Sequence, residues 1–165
     1  MGLLEPHGRG RRLFRRAALS EDAPVIVIHS LAHAVAALSA AAEAERPVVL
    51  ASPPDAGIYA GAGWFREVIR TARQAIPAAQ FSALLDCGND PGAAMAAIRA
   101  GVEAVVFTGR PDVAARLADI AAQAGVRLVT ERPVAALDLG SSFFEDNETL
   151  CHRCAEILAS SAAFC

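Results

Sequence analysis

Apolar residues in this chain alternate between short, nearly continuous runs and longer stripes at helical spacing. The runs are Pro24 to Ile28 (PVIVI), Pro47 to Leu50, Phe81 to Leu85, Ala104 to Phe107 and Val126 to Val129. Runs of this length, rich in β-branched residues and without polar alternation, predict parallel strands covered on both faces rather than half-solvated hairpins. Between them, Leu31, Val35, Leu38 and Ala42, then Phe65, Val68, Ile69, Ala72 and Ile76, then Val113, Leu117, Ile120 and Ala121, recur every three to four positions. Each set makes one buried helix stripe. The chain therefore reads as βα repeats.

The clearest repeat runs from Phe81 to Gly109. Asp90 can cap the helix between its two strands, Pro91 suits the first helical position, and Gly101 suits the left-handed exit. Ser30 can cap the first helix, Pro111 opens another and Gly125 closes it. Ser52 to Gly57 reads as loop, since its adjacent prolines supply no ladder donors. The segment Pro133 to Gly140 (PVAALDLG) reads equally as an extended piece or a connector. For the terminal helix, Ser142 with Glu145 forms a capping-box pattern, and Asn147 is an alternative cap one turn later.

The fold class predicted is α/β, a parallel five-stranded sheet of βα repeats in mostly sequential order. It is either a partial TIM-barrel-like arrangement or an open, flavodoxin-like three-layer sheet. Residues 1–20, with Arg9, Arg11, Arg12, Arg15 and Arg16, form a basic N-terminal arm, and 21–165 form a single α/β domain with a C-terminal helix.

Composition changes this picture only at a few points. With 54% hydrophobic and 20% charged residues the chain can build a sizeable core. A formal net charge of -3 carries no overall nucleic-acid signature. All 15 basic residues are Arg, which excludes a lysine Schiff base, covalent pyridoxal phosphate and a Walker A loop. Cys87, Cys151, Cys154 and Cys165, without a secretory leader pattern, suggest a reducing, cytoplasmic setting. No apolar run approaches the ~20 residues of a membrane span.

Parallel strands place their following loops on one edge, and that rim collects the candidate chemistry. Asp86 is a candidate general base, or else a carboxylate that accepts loop N–H groups. Ser52 and Asp55 after the second strand, Asn89 after the third, and Thr108 and Arg110 after the fourth are candidate ligand contacts. Arg110 could donate a fork to a phosphate, or be a solvated loop residue. His29 could be a ligand or acid/base group, or a histidine satisfied by a carbonyl; His33 is expected at the surface. Gly61-Ala62-Gly63 before a helix is a weak anion signal. Cys151-His152-Arg153-Cys154 looks like half a zinc knuckle, but Leu150, Cys151, Cys154, Ile157 and Leu158 share one stripe, so both thiols read as small core residues.

Residues 24 to about 132 resemble the first half of the class II, metal-dependent fructose-bisphosphate aldolases. The order that carries the resemblance is AAEAERPVVLAS, Tyr59-Ala60-Gly61, LLDCG, AIRAGVEAVVFTG and AGVRLVTE. It favours the partial barrel. Carried over, Asp86 matches the family's catalytic aspartate, and Cys87 stands where the family has a metal-binding histidine. Thr108 replaces an aspartate, Glu131 falls near a strand-five glutamate, and Ser52 matches a polar position near the substrate. A metal site would draw on Cys87, His29 and Glu131, donors suited to zinc, but the later barrel strands with their histidines and phosphate loops are absent from the pattern.

Two functions follow as expectations. The first is a non-catalytic small-molecule-binding or interaction module that needs no cofactor. The second is a metal-dependent lyase acting on a small phosphorylated sugar or keto acid, with Asp86 as acid/base and its site completed by oligomerisation. The partners expected are a small ligand and a second copy of the chain, with neither membrane nor nucleic acid. An unclosed half-barrel would leave one apolar sheet face bare; the C-terminal helix is expected to cover part of it and a homodimer more.

Overall fold

The computed structural model describes residues 23–160; the basic arm predicted at 1–20 lies outside them. The strands β1 (Val25–Val27), β2 (Val48–Ala51), β3 (Phe81–Asp86), β4 (Ala104–Val106) and β5 (Arg127–Val129) match the five apolar runs, and a sixth, β6 (Leu137–Asp138), is added from the ambiguous segment. All pair in parallel in the order β5-β4-β3-β2-β1-β6. The helices are α1 (Leu31–Glu43), α2 (Ala56–Tyr59), α3 (Gly61–Ala75), α4 (Pro91–Ala100), α5 (Pro111–Ala124) and α6 (Asn147–Ser160), with a single 3-10 turn at Leu139–Ser142.

Local chemistry sets these ends largely as expected. Ser30 Oγ accepts the His33 N–H at 3.2 Å and Asp90 Oδ1 accepts the Ala93 N–H at 2.9 Å. Gly101 and Gly125 close α4 and α5 in the left-handed region. Three boundaries differ. The loop after β2 turns helical at Ala56, Gly61 to Gly63 lie inside the first turn of α3 rather than before it, and α6 is capped by Asp146, which accepts the Thr149 N–H at 2.9 Å. Neither Ser142 nor Asn147 takes that role; Asp146 sits where its short carboxylate reaches the third N–H of the helix.

From β1 to β5 strand order follows the sequence without reversal, and right-handed crossovers then put every helix on the same side. The helices pack in a continuous row, α6 on α1, α1 on α3, α3 on α4 and α4 on α5. This rules out the three-layer alternative and leaves a two-layer, unclosed, barrel-like sheet. Side chains alternate accordingly. Ile26, Ile28, Leu50, Leu85, Cys87, Val105 and Phe107 face the helices, whereas Val25, Val27, Val49, Ala51, Leu84, Ala104 and Val106 form a separate cluster on the other, inner face.

The inner face is covered, but not by the element expected to cover it. The terminal helix α6 buries Leu150, Cys154 and Leu158 against α1, so it extends the outer helix row. The alanine-rich α1 can be buried on the sheet side and on the α6 side at once, because its small side chains admit neighbours closely. The inner face is closed instead by the connection from β5 to β6. Its seven residues, 130–136, span five strand-to-strand steps. None of the seven residues is helical. The segment crosses the inner face as a strap, and Ala136 donates its N–H to Val25 O at 2.8 Å as it arrives.

Candidate functional site

Between the strap and the sheet lies a cavity of about 320 Å³. Val25, Val27, Ala51, Leu84 and Val106 form its floor, Pro133, Val134 and Ala135 its roof, and Ser52, Asp86, Arg132 and Asp138 its polar end. The floor is small because the inward positions of β1, β2 and β4 are valine and alanine. Larger residues there would fill the space.

Asp86 is the most constrained group in it. The last residue of β3, it points inward while its backbone N–H is accepted by Ser52 Oγ at 2.9 Å. Ser52 in turn donates to Pro53 O at 3.0 Å, so its hydroxyl proton is used. Asp86 Oδ1 accepts two N–H groups, from Asp55 and from Gly88, both at 2.9 Å. Both donors depend on unusual backbone. Asp55 has φ 60° and Gly88 φ 53°, and a Cβ on Gly88 would stand 2.0 Å from the Asp55 carboxylate, so a side chain there would have to displace that carboxylate as well as hold a left-handed backbone. The other oxygen, Oδ2, is treated differently. Arg132 Nη2 from the strap lies 2.8 Å away, yet no N–H is aligned on it and Oδ2 is left without a true hydrogen bond among the described residues. The Asp86 side chain is 4% exposed and that of Arg132 38%. A buried carboxylate thus has one oxygen locked by the backbone and one covered by a partly exposed cation.

The remaining candidates scatter. Ser52 and Asp55 do converge on Asp86, though as its supports: Ser52 through a spent hydroxyl, Asp55 through its backbone. Asn89 is exposed. Thr108 is exposed too, tied by its N–H to Gly88 O at 2.7 Å. Arg110 spends its fork on Asp112, Nε to Oδ1 and Nη2 to Oδ2 each at 3.0 Å, and does not face the cavity.

Cys87, His29 and Glu131 do not come together. Strand alternation turns Cys87 to the helix side, opposite Asp86, where Gly57 of α2 approaches so closely that a Cβ there would stand 2.5 Å from Sγ. Burial pushes its thiol up to about 12, with the Asp86 charge adding to the shift, the reverse of what a thiolate ligand needs. Glu131 is exposed on the strap. Among the described residues no group of three or more His, Cys, Asp or Glu side chains is placed to hold a metal ion. Cys154 behaves as the stripe implied, fully buried with its thiol pushed up to about 12 by burial.

His29 finds a different partner. Its Nε2 lies 2.7 Å from Asp138 Oδ1, which also accepts the Gly140 N–H at 2.8 Å. Burial favours the neutral carboxyl of Asp138, but the Gly140 N–H and His29 together outweigh it and hold the group below its ordinary value. His33, expected at the surface, is fully buried. Its Nδ1 accepts the His29 N–H at 3.1 Å, its ring meets Phe143 edge-on at 5.7 Å, and Nε2 makes no aligned hydrogen bond. Burial, then the neighbouring His29, lowers its pKa. Arg132 and Asp138 were the residues that sequence reasoning missed. Arg132 opens a segment with no periodicity, and Asp138 lies in the two-residue strand that tertiary pairing creates.

No protein-family model matches the chain, and no curated protein matches it significantly in sequence. Among solved structures it is similar to a putative fructose-1,6-biphosphate aldolase from Coccidioides immitis, at TM-score 0.54 and 18% identity, over 64% of this chain and 39% of that one. The fold is aldolase-like. The chain is also similar to a probable tagatose 6 phosphate kinase from Sinorhizobium meliloti, at TM-score 0.49 and 17% identity, over 86% of this chain and 46% of that one. It spans less than half the length of either structure. At such identity the aldolase likeness is one of fold, and it agrees with the unclosed, barrel-like sheet. Among the described residues no helix is long and apolar enough to cross a membrane.

Proposed function

We propose that this aldolase-like domain is a small-molecule-binding module whose site is the cavity under the strap, with Asp86 as its polar anchor. One observation carries the reading: apolar walls converge on a single buried carboxylate whose second oxygen is met only by the Arg132 guanidinium, without an aligned hydrogen bond among the described residues. Small-molecule sites have this form, an apolar enclosure with few, well-held polar groups. Ser52, Asp55 and Gly88 hold the carboxylate in place; the strap supplies the roof and a counter-charge.

Binding is favoured over metal-dependent lyase chemistry because the donors that chemistry would draw on are committed elsewhere. Cys87 packs against the helices, His29 pairs with Asp138 and Glu131 stands in solvent. The test is ligand-observed NMR with mixtures of small fragments on the parent chain and on Ala51→Phe, which fills the floor. Fragments should bind the parent and lose binding in the variant, with circular dichroism showing both folded. Equal binding to both would sink the assignment of the site to this cavity.

A further inference from the structure

Resting on that reading, we infer that the cavity takes a small apolar amine, whose ammonium replaces the Arg132 guanidinium on Asp86 Oδ2. The charges at the polar end decide the sign of the ligand. Two carboxylates, Asp86 and the His29-paired Asp138, line the cavity with a single guanidinium, that of Arg132. Ser52 has no proton to offer, since its hydroxyl already donates to Pro53 O. The donors that would welcome a phosphate are occupied elsewhere: Arg110 is forked onto Asp112, and the Asp90 carboxylate takes the Ala93 N–H at the start of α4. An anion would meet more negative than positive charge at this end of the cavity.

A cation meets the opposite. Asp86 Oδ2 is deeply buried, unaligned with any donor among the described residues, and covered by Arg132, so that a cation taking the guanidinium's place would meet it from the cavity. An ammonium is a compact charge with three rotatable N–H groups, able to aim one at Oδ2, whereas the flat guanidinium of Arg132 reaches the same oxygen off-line from an extended strap. The present occupant is a guanidinium ion-paired to Oδ2 at 2.8 Å, which an ammonium has to displace. Arg132 can leave without unfolding anything, because its side chain is over a third exposed and the strap is held at its far end by the β6 pairing. The valine and alanine floor then takes the hydrocarbon part. The expected ligand class is a short branched or linear alkylamine, not a sugar phosphate.

Isothermal titration calorimetry at pH 7.5 on the whole chain tests this with four probes: isopentylamine, isopentanol, isovalerate and inorganic phosphate. Isopentylamine should bind, isopentanol at least tenfold more weakly, and the two anions not at all. Asp86→Asn, which keeps an oxygen for the Asp55 and Gly88 N–H groups, should lose at least tenfold in amine affinity. Arg132→Ala should gain several-fold, a direction that a purely structural role for Arg132 does not produce. Preference for isovalerate or phosphate, or equal amine affinity in Asp86→Asn, would overturn the inference and leave the binding module standing. If none of the four binds either the parent or Arg132→Ala, the inference and the module fall together.

Discussion

The two faces of one sheet are built to opposite ends. On the helix side β1, β2, β3, β4 and the residues that follow them present Ile26, Ile28, Leu50, Leu85, Val105 and Phe107, all at most 1% exposed and in one cluster with residues of all six helices. On the strap side the same strands present Val25, Val27, Val49, Ala51, Ala104 and Val106, smaller on average and closed over by a single extended segment. The outer face buries area, and the inner face preserves volume. Stability therefore belongs to the first, and the candidate site to the second.

The sharpest way to break that contrast is to truncate a large side chain on each face. Phe107→Ala should cost about 3–5 kcal/mol and Val27→Ala under about 2 kcal/mol, read from urea denaturation midpoints at constant slope. Equal costs would mean that the inner face is packed as a core. Next in size is Asp86→Ala, which strips the acceptor from the Asp55 and Gly88 N–H groups. It should cost about 2–3 kcal/mol, with Asp86→Asn clearly milder; equal losses would show that the backbone does not depend on that oxygen.

A smaller effect separates the two faces by pH. The pKa of His33 is lowered from 6.5 by burial, so its neutral form is the one that folds. Its contribution to stability is present above pH 6.5 and is lost as the pH falls through the lowered folded value. Melting temperature should therefore drop on acidification from pH 7 towards 5, and less so in His33→Gln. A pH profile unchanged by that substitution would assign the acid sensitivity to other groups. Least of all, Arg110→Ala should leave stability within about 0.5 kcal/mol and leave fragment binding untouched, since its fork is spent on Asp112 in solvent. Loss of binding in that variant would place the ligand outside the cavity.

How far residues alone disclosed the site is plain from Asp86. Its position at a strand end before a glycine turn marked it as a candidate, and the alternative reading, that it accepts loop N–H groups, describes one of its oxygens. The other oxygen was out of reach, because its neighbour Arg132 arrives from a segment with no periodic signal. Cys87 was misplaced for a related reason. Family correspondence put it at the metal position, while the two-residue period of the strand turns it to the helices. His33 shows the same limit: a histidine on a helix looks like surface until α1 is found buried between the sheet and its neighbouring helices.

Hydrophobic runs, helix stripes and cap residues by themselves determined the five parallel strands, their order and most helix ends, because each depends on contacts a few residues apart or on the handedness of the crossover. Only the tertiary structure decided what lies over the inner face, which oxygen of Asp86 meets Arg132 and where α6 goes. Those outcomes depend on contacts between segments far apart in sequence, the strap on the inner face and α6 on α1, which no local pattern encodes.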